Sequence, residues 1–347
     1  MDQALDCQVC AMTVVRSQCF LVITVDTECD HGPNWIKANP LAFASVIRGI
    51  PGRLQPIFAK FDARPTYLLS SEVLESKECV EVLASLAQGC ELGTHLHGDY
   101  VAPQPRYTRY EGTKSKDWAC RYDPELELLK LTTLTNLFIR QFGYSPLSYR
   151  AGRFGASGQT LKNLQTLGYR VDTSVTPYII WPSHDEQPDL DFSTAPVQPY
   201  FPDERTICKK GDSNILEVPV SIDIRYPRLR RLLTPLQKSE SLPGQFLHAN
   251  LTAPVWLRPS LSSAESMIML IEKYRQRHRR QKNIVLNMMF HSMEIIPGAS
   301  PHAQTEEDCQ RLLMRIERVL DYCQKHEFKF AALSDLYPLF ASGRRNA

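Results

Sequence analysis

Residues 19–31 read Cys19-Phe-Leu-Val-Ile-Thr-Val25 and then Asp26-Thr-Glu28-Cys-Asp30-His31: an apolar, β-branched run that gives way to three carboxylates and an imidazole. The first half predicts a strand, and the second half supplies polar groups at its C-terminal end. The same arrangement recurs along the chain, with strand candidates at 65–69, 91–96, 147–150, 169–173, 215–222, 284–290 and 328–333. Helical patterns lie between them near 41–61, 71–88, 124–142, 157–167, 261–278 and 305–325, several preceded by Ser, Asp or Thr suited to capping a first turn. Strand and helix alternating from end to end predict an α/β fold, a parallel sheet or barrel with covering helices. In a βα barrel the C-terminal strand ends form the mouth of the active site, so the polar clusters fall where chemistry is expected.

Two stretches break the alternation. Residues 176–213, rich in Pro, Asp and aromatics, are expected to be an excursion over one barrel mouth, and residues 225–259 a second irregular insertion. The expected organisation is an N-terminal extension (1–18), one barrel domain (19–340) carrying both insertions, and a short tail (341–347).

With 347 residues, 43% hydrophobic and 22% charged, the chain can bury a large core and is not of disordered composition. Lys+Arg 40 against Asp+Glu 38 leaves a net charge of +2, which argues against a nucleic-acid partner. The longest apolar stretches, such as 19–25, fall far short of the ~20 residues a transmembrane helix needs. The N-terminus lacks a basic segment followed by an apolar one, so a cytoplasmic location is expected, with mostly reduced thiols among the 10 cysteines. Cys7-x-x-Cys10 has no second pair at zinc-site spacing and is read as incidental.

Four further segments carry candidate chemistry. Gly93-Thr-His95-Leu-His97-Gly-Asp99 follows the third strand; an extended chain puts His95 and His97 on one side, whereas a helical turn brings His95 to Asp99. Ser148-Tyr-Arg150-Ala-Gly-Arg153-Phe-Gly155 offers arginines to clamp a carboxylate and glycines to admit close approach. His291, directly beyond the apolar strand 283–290, is placed to donate a proton, and Asp172 to orient an imidazole. The aromatic residues Tyr178, Trp181, Tyr200, Phe201 and Trp256 are sugar-stacking surfaces or, on the simpler reading, packing. Cys29 is expected to pack, and Trp256-Leu-Arg258-Pro259-Ser260 to line the mouth or enter a helix.

The order TVDTE (24–28), GTHLHGD (93–99), RAGRFG (150–155), VDTS (171–174) and MMFHS (288–292) resembles the five ordered motifs of NodB-type polysaccharide deacetylases. It is most similar to the WalW-like branch, through EVPVSI (217–222) and FHSMEIIPGASP (290–301) among other strings. The resemblance implies a distorted (β/α)7-type barrel that removes an N- or O-acyl group from an acetylated carbohydrate with one divalent metal ion, usually zinc. By similarity Asp26 is the base that deprotonates a metal-bound water and Arg150 holds it. Glu28 and His95 are metal ligands, with Asp99 at the position of the second histidine. His291 is the general acid and Asp172 its orienting partner. The chain departs from the family in having Asp26-Thr-Glu28 for Asp-Asp and His95-x-x-x-Asp99, with His97 inside, for His-x-x-x-His. The third ligand is therefore His97 or Asp99. Alternative expectations are a hydrolase of non-peptide C–N bonds on the same barrel, a carbohydrate-binding homologue without catalysis, or a partner-binding scaffold.

Overall fold

The computed structural model describes residues 17–103, 118–183, 188–224 and 253–342. The CxxC pair, most of the N-terminal extension, residues 225–252 of the second insertion and 343–347 of the tail lie outside the described residues.

Eight parallel strands form one curled sheet: β1 (Gln18–Thr27), β2 (Thr66–Leu69), β3 (Glu91–Leu96), β4 (Ser148–Ala151), β5 (Val171–Asp172), β6 (Leu216–Glu217), β7 (Asn283–His291) and β8 (Lys329–Ala331). Seven run in the order β6-β5-β4-β3-β2-β1-β7. The eighth, β8, pairs with Phe20–Val22 of β1, below the stretch Thr24–Thr27 that pairs with β2. The outer strands β6 and β7 are not joined by a ladder; the Ser221 N–H donates across that side to the Asn287 carbonyl at 3.1 Å. The result is a half-barrel, in keeping with the α/β barrel expected from the strand and helix alternation.

Strand parity sorts the side chains of β1. Leu21, Ile23 and Val25 join the large core beneath the helices, whereas Phe20 and Val22 join a smaller cluster with Leu68, Val171, Leu216 and Leu336 inside the curl. The same inner face continues upward as Thr24 and Asp26, so one face of one strand is apolar at its base and polar at its rim. Register then brings in the other polar ends. Asp26 stands beside His291 of β7, and His95 of β3 beside Arg150 of β4.

The helices follow the sequence pattern closely where their caps are strong. In α4 (Pro124–Phe142) Pro124 occupies the first turn and Gly143, at φ 78°, ends the helix in a left-handed turn. In α7 (Glu306–Lys325) Thr305 and Asp308 form a capping box, and Cys309, Leu312, Leu313, Ile316, Val319, Leu320 and Cys323 make the buried stripe. The stretch expected as one helix near 41–61 is instead π-helical over Ser45–Leu54, with Pro51 inside, before α1 (Gln55–Lys60). Proline supplies no N–H for a regular ladder there. The pattern at 71–88 is split at Ser76, which caps the second piece, into α2 (Ser71–Glu75) and α3 (Lys77–Leu86). The remaining helices are α5 (Gly158–Thr166), α6 (Ala264–Arg277) and α8 (Leu333–Ala341), the last of which closes the base of the curl through Leu333 and Leu336.

Candidate active site

A cavity of about 500 Å³ opens at the C-terminal ends of the strands, lined by Asp26, Glu28, His95, His97 and His291 together with aromatic and cationic side chains. Its floor is an ion pair. Arg150, fully buried, donates from Nη1 to Asp26 Oδ1 at 2.6 Å, from Nη2 to Thr24 Oγ1 at 2.7 Å and from Nε to the Thr173 carbonyl at 2.9 Å. Burial alone would raise the Asp26 carboxyl, but Arg150, then His95 and His291, hold it below its ordinary value. Asp26 is thus an ionised carboxylate with one oxygen clamped, and Oδ2 lies 3.9 Å from His291 Nε2.

Glu28, two residues on, faces the same side. Its Oε1 lies 3.5 Å from His95 Nε2 and its Oε2 lies 3.4 Å from His97 Nε2. Burial would raise this carboxyl too, but His97, His95 and His31 hold it well below the usual range. His95 Nδ1 lies 3.0 Å from the Arg150 carbonyl, which can only accept, so Nδ1 carries a proton and Nε2 is the nitrogen turned toward Glu28. The position of His97 depends on Gly152. A Cβ there would fall 2.5 Å from the Leu96 carbonyl oxygen and 2.8 Å from His97 Nδ1, so no larger residue allows β4 to lie so close to the His97 turn. Arg153 and Phe154, the next two residues, have φ of 53° and 59° and both line the cavity. Two consecutive non-glycine residues in the left-handed region are strained backbone held by its surroundings.

Donor atoms of Glu28, His95 and His97 all lie within 4.8 Å of one another, the one such group able to hold a metal ion among the described residues. Glu28 Oε2 and His97 Nε2 are buried without any hydrogen-bond partner, which is costly for polar atoms unless something else engages them. One carboxylate and two imidazoles suit a divalent cation of the zinc type. Of the two candidates for third ligand, His97 is the one in this group. Asp99 is buried but contributes no donor to it, and accepts instead from the Tyr122 hydroxyl at 3.3 Å.

His291 is oriented, but not by the residue expected. Its Nδ1 is 2.9 Å from Glu294 Oε1, and the same oxygen accepts from Arg258 Nη2 at 2.6 Å. Burial would raise the Glu294 carboxyl; Arg258 and His291 hold it far below its usual range. The pairing of Asp172 with His291 is corrected by strand parity. Asp172 is in register with Tyr149, whose ring packs in the helix-side core, while Arg150, the next residue, is on the other face with Asp26. Asp172 therefore projects to the opposite face of the sheet, where it accepts from the Ser174 hydroxyl at 2.6 Å and stands in register with Glu217. Burial of two adjacent carboxyls pushes both up, Glu217 the further.

Other residues find plain roles. Asp30 accepts from the N–H groups of Ala44 and Ser45 and so caps the π-helical segment. Cys29 is buried as expected. Tyr200 and Phe201 are core, and Trp256 packs against Phe154 and Trp181. Trp181, stacked on Phe154, lines the cavity, as do Arg258 and Trp35. Lys37, unremarked in sequence, reaches the cavity wall with its Nζ 2.7 Å from Glu72, whose carboxyl it lowers to about 2 against the opposing effect of burial. Glu294 and Lys37 are the residues of this site least visible in sequence, although Glu294 stands three residues after His291, the spacing of one tight turn.

No protein-family model matches the chain, and no curated protein matches its sequence. Solved structures do match. A Mycobacterium smegmatis protein assigned as a polysaccharide deacetylase aligns with a TM-score of 0.53 at 17% identity, over 94% of this chain and 92% of that one. A Parabacteroides distasonis protein assigned as a glycoside hydrolase/deacetylase aligns with a TM-score of 0.60 at 10% identity, over 95% and 72%. The fold is shared with polysaccharide deacetylases. It is shared as well with PuuE allantoinase, at a TM-score of 0.52 and 11% identity over 94% of this chain and 91% of that one. The likeness is one of architecture, and the chemistry rests on the side chains of this chain.

Proposed function

We propose that the protein is a metal-dependent hydrolase that removes an acetyl group from an N- or O-acetylated carbohydrate. The observation that carries this reading is the convergence, in one cavity at the strand ends, of an arginine-clamped carboxylate, a carboxylate–imidazole donor set and a carboxylate-oriented histidine. Glu28, His95 and His97 would hold the cation. When bound, it supplies a Lewis acid that polarises the acyl carbonyl and lowers the pKa of water.

The remaining groups divide the proton transfers. Asp26, ionised and held through one oxygen by Arg150, takes the proton of the attacking water at Oδ2. His291, with Nδ1–H committed to Glu294, presents Nε2 to the same space and returns a proton to the departing amine or alkoxide. Phe154, Trp181 and Trp35 give the cavity flat apolar walls of the kind sugar rings stack upon. The motif order, in particular EVPVSI and FHSMEIIPGASP, supports the WalW-like branch within the deacetylases.

The test combines metal analysis of the purified protein with acetate release from a panel of acetylated sugars and cyclic ureides. About one cation per chain, with acetate release abolished by chelation and restored by zinc, is expected. Acetate release that survives complete metal removal would refute the metal-dependent route. Ureide hydrolysis without acetate release would move the protein to C–N chemistry on small molecules, and glycan binding without turnover to a binding role.

A further inference from the structure

Beyond the three imidazoles this mechanism uses, the cavity is lined by two more, His31 and His302, and of these His31 lies against Glu28. Four Nε2 atoms surround the Glu28 carboxylate: His95 at 3.5 Å and His291 at 4.0 Å from Oε1, His97 at 3.4 Å and His31 at 3.6 Å from Oε2. The Nδ1 atoms of His95 and His291 are engaged by the Arg150 carbonyl and by Glu294. His31 differs from both. Neither of its ring nitrogens has a hydrogen-bond partner, although its side chain is only 9% exposed and lines the cavity.

Its main chain is firmly placed. The His31 N–H donates to the Ala299 carbonyl at 2.9 Å, His31 bridges to Lys37, and the neighbouring Asp30 caps the π-helical segment. The edge of Trp35 covers the ring at 5.8 Å between centroids. A buried imidazole held this way, with both nitrogens unsatisfied beside a carboxylate, lacks a partner that the protein itself does not provide.

Spacing suggests which partner. Atoms bound at the usual zinc–nitrogen distance around a tetrahedral cation stand about 3.4 Å apart. The separations of His97 and of His31 from Glu28 Oε2, 3.4 and 3.6 Å, are both of that size. Resting on the reading of Glu28, His95 and His97 as cation ligands, we propose that His31 Nε2 is a fourth protein ligand, approaching from the Oε2 side of Glu28. His31 is not among the three residues whose donors lie within 4.8 Å of one another, so ligation requires its side chain to swing inward from its place 3.6 Å from Glu28 Oε2. A set of one carboxylate and three imidazoles holds the cation more tightly than a set of three donors and leaves fewer positions open to substrate.

The test reads binding rather than turnover. Protein stripped with a chelator is titrated with zinc against a chromophoric competitor, and separately with cobalt(II), whose visible spectrum reports coordination number. His31→Ala is expected to bind zinc at least ~10-fold more weakly than the wild type and to change the cobalt spectrum, with His95→Ala as the reference for loss of a ligand. His31→Gln, which keeps polar bulk without the imidazole, decides the matter if the alanine variant fails to fold. Zinc affinity and cobalt spectrum both unchanged in folded His31 variants, while His95→Ala weakens binding, would overturn the fourth ligand alone. A wild type that takes up no stoichiometric cation would overturn both this inference and the reading beneath it.

Discussion

Two pairs of carboxyls lie on opposite faces of the same sheet, equally buried, and their surroundings shift them in opposite directions. Asp26 and Glu28, on the cavity face, sit among Arg150 and imidazoles and are held below their ordinary values. Asp172 and Glu217, on the helix face, have each other, a serine hydroxyl and the Val175 N–H, and are pushed up. Burial is common to both pairs and opposes ionisation in both, so it does not distinguish them. Strand parity does. One residue of displacement along β5 would turn Asp172 to the face of Arg150; its actual position leaves it buried in register with Glu217.

The largest effect should come from exchanging like for like across that divide. Asp26→Asn removes the carboxylate proposed to accept the water proton and is expected to lower kcat by ~10²–10⁴, the usual worth of a general base, with His291→Ala falling in the same range. Asp172→Asn, on the other face, should leave turnover within a few-fold of wild type. Steady-state rates of acetate release on variants with native circular dichroism decide it. If Asp172→Asn were as damaged as Asp26→Asn, the two faces would not differ in the way described, and the pairing of Asp172 with His291 would return.

The next effect is smaller and tests which carboxylate orients the imidazole. Glu294→Ala leaves His291 in place but without the acceptor for Nδ1–H, and leaves Arg258 without its partner at 2.6 Å. A loss of about 10² in kcat with KM little changed is expected, because the imidazole remains but no longer holds one tautomer. The ring nitrogen shifts of His291 in a 15N spectrum should show that change of tautomer directly. A Glu294→Ala protein with wild-type shifts and rates would return the orienting role to another group.

The contrast between the faces also explains what was legible in the sequence. Long strands that are apolar on both sides, such as β1 and β7, were placed to within a residue or two, and with them Asp26, Glu28, His95, Arg150 and His291 at the rim. The stretch expected as a strand over 169–173 is a strand only at Val171–Asp172, and two residues show no alternation from which a face can be read. A place at a strand end and the motif order both point to Asp172, but neither tells which face it takes. The choice between His97 and Asp99 turned on whether the chain stays extended through His97. It does, with φ −99° and ψ 99°, and turns into a 3₁₀ segment only at Gly98. Glu294 escaped notice for a different reason, since a carboxylate one tight turn beyond a histidine becomes its partner only when that turn folds back on the strand end.

The smallest expected effect concerns stability and extends the comparison to a third buried carboxyl without a cation. Glu127 of α4 accepts from the Thr160 hydroxyl at 2.5 Å and the Asn163 amide at 3.1 Å, tying α4 to α5, and burial raises its pKa from 4.5 to about 7 despite those two hydrogen bonds. A folded-state value above the unfolded one means that the fold favours the neutral acid. The stability from this group is complete below pH 4.5 and is lost as pH rises through about 7. Glu127→Gln keeps a neutral side chain at every pH. Urea unfolding at pH 5 and pH 8 should show the wild type losing roughly 2 kcal/mol more than the variant between the two, after allowance for partial solvent screening. Other groups, Asp172 and Glu217 included, titrate alike in both proteins and cancel in the difference. Parallel pH profiles would mean that Glu127 is ionised within the fold, and that the rule separating carboxyls with a cation from those without one does not reach the helix layer.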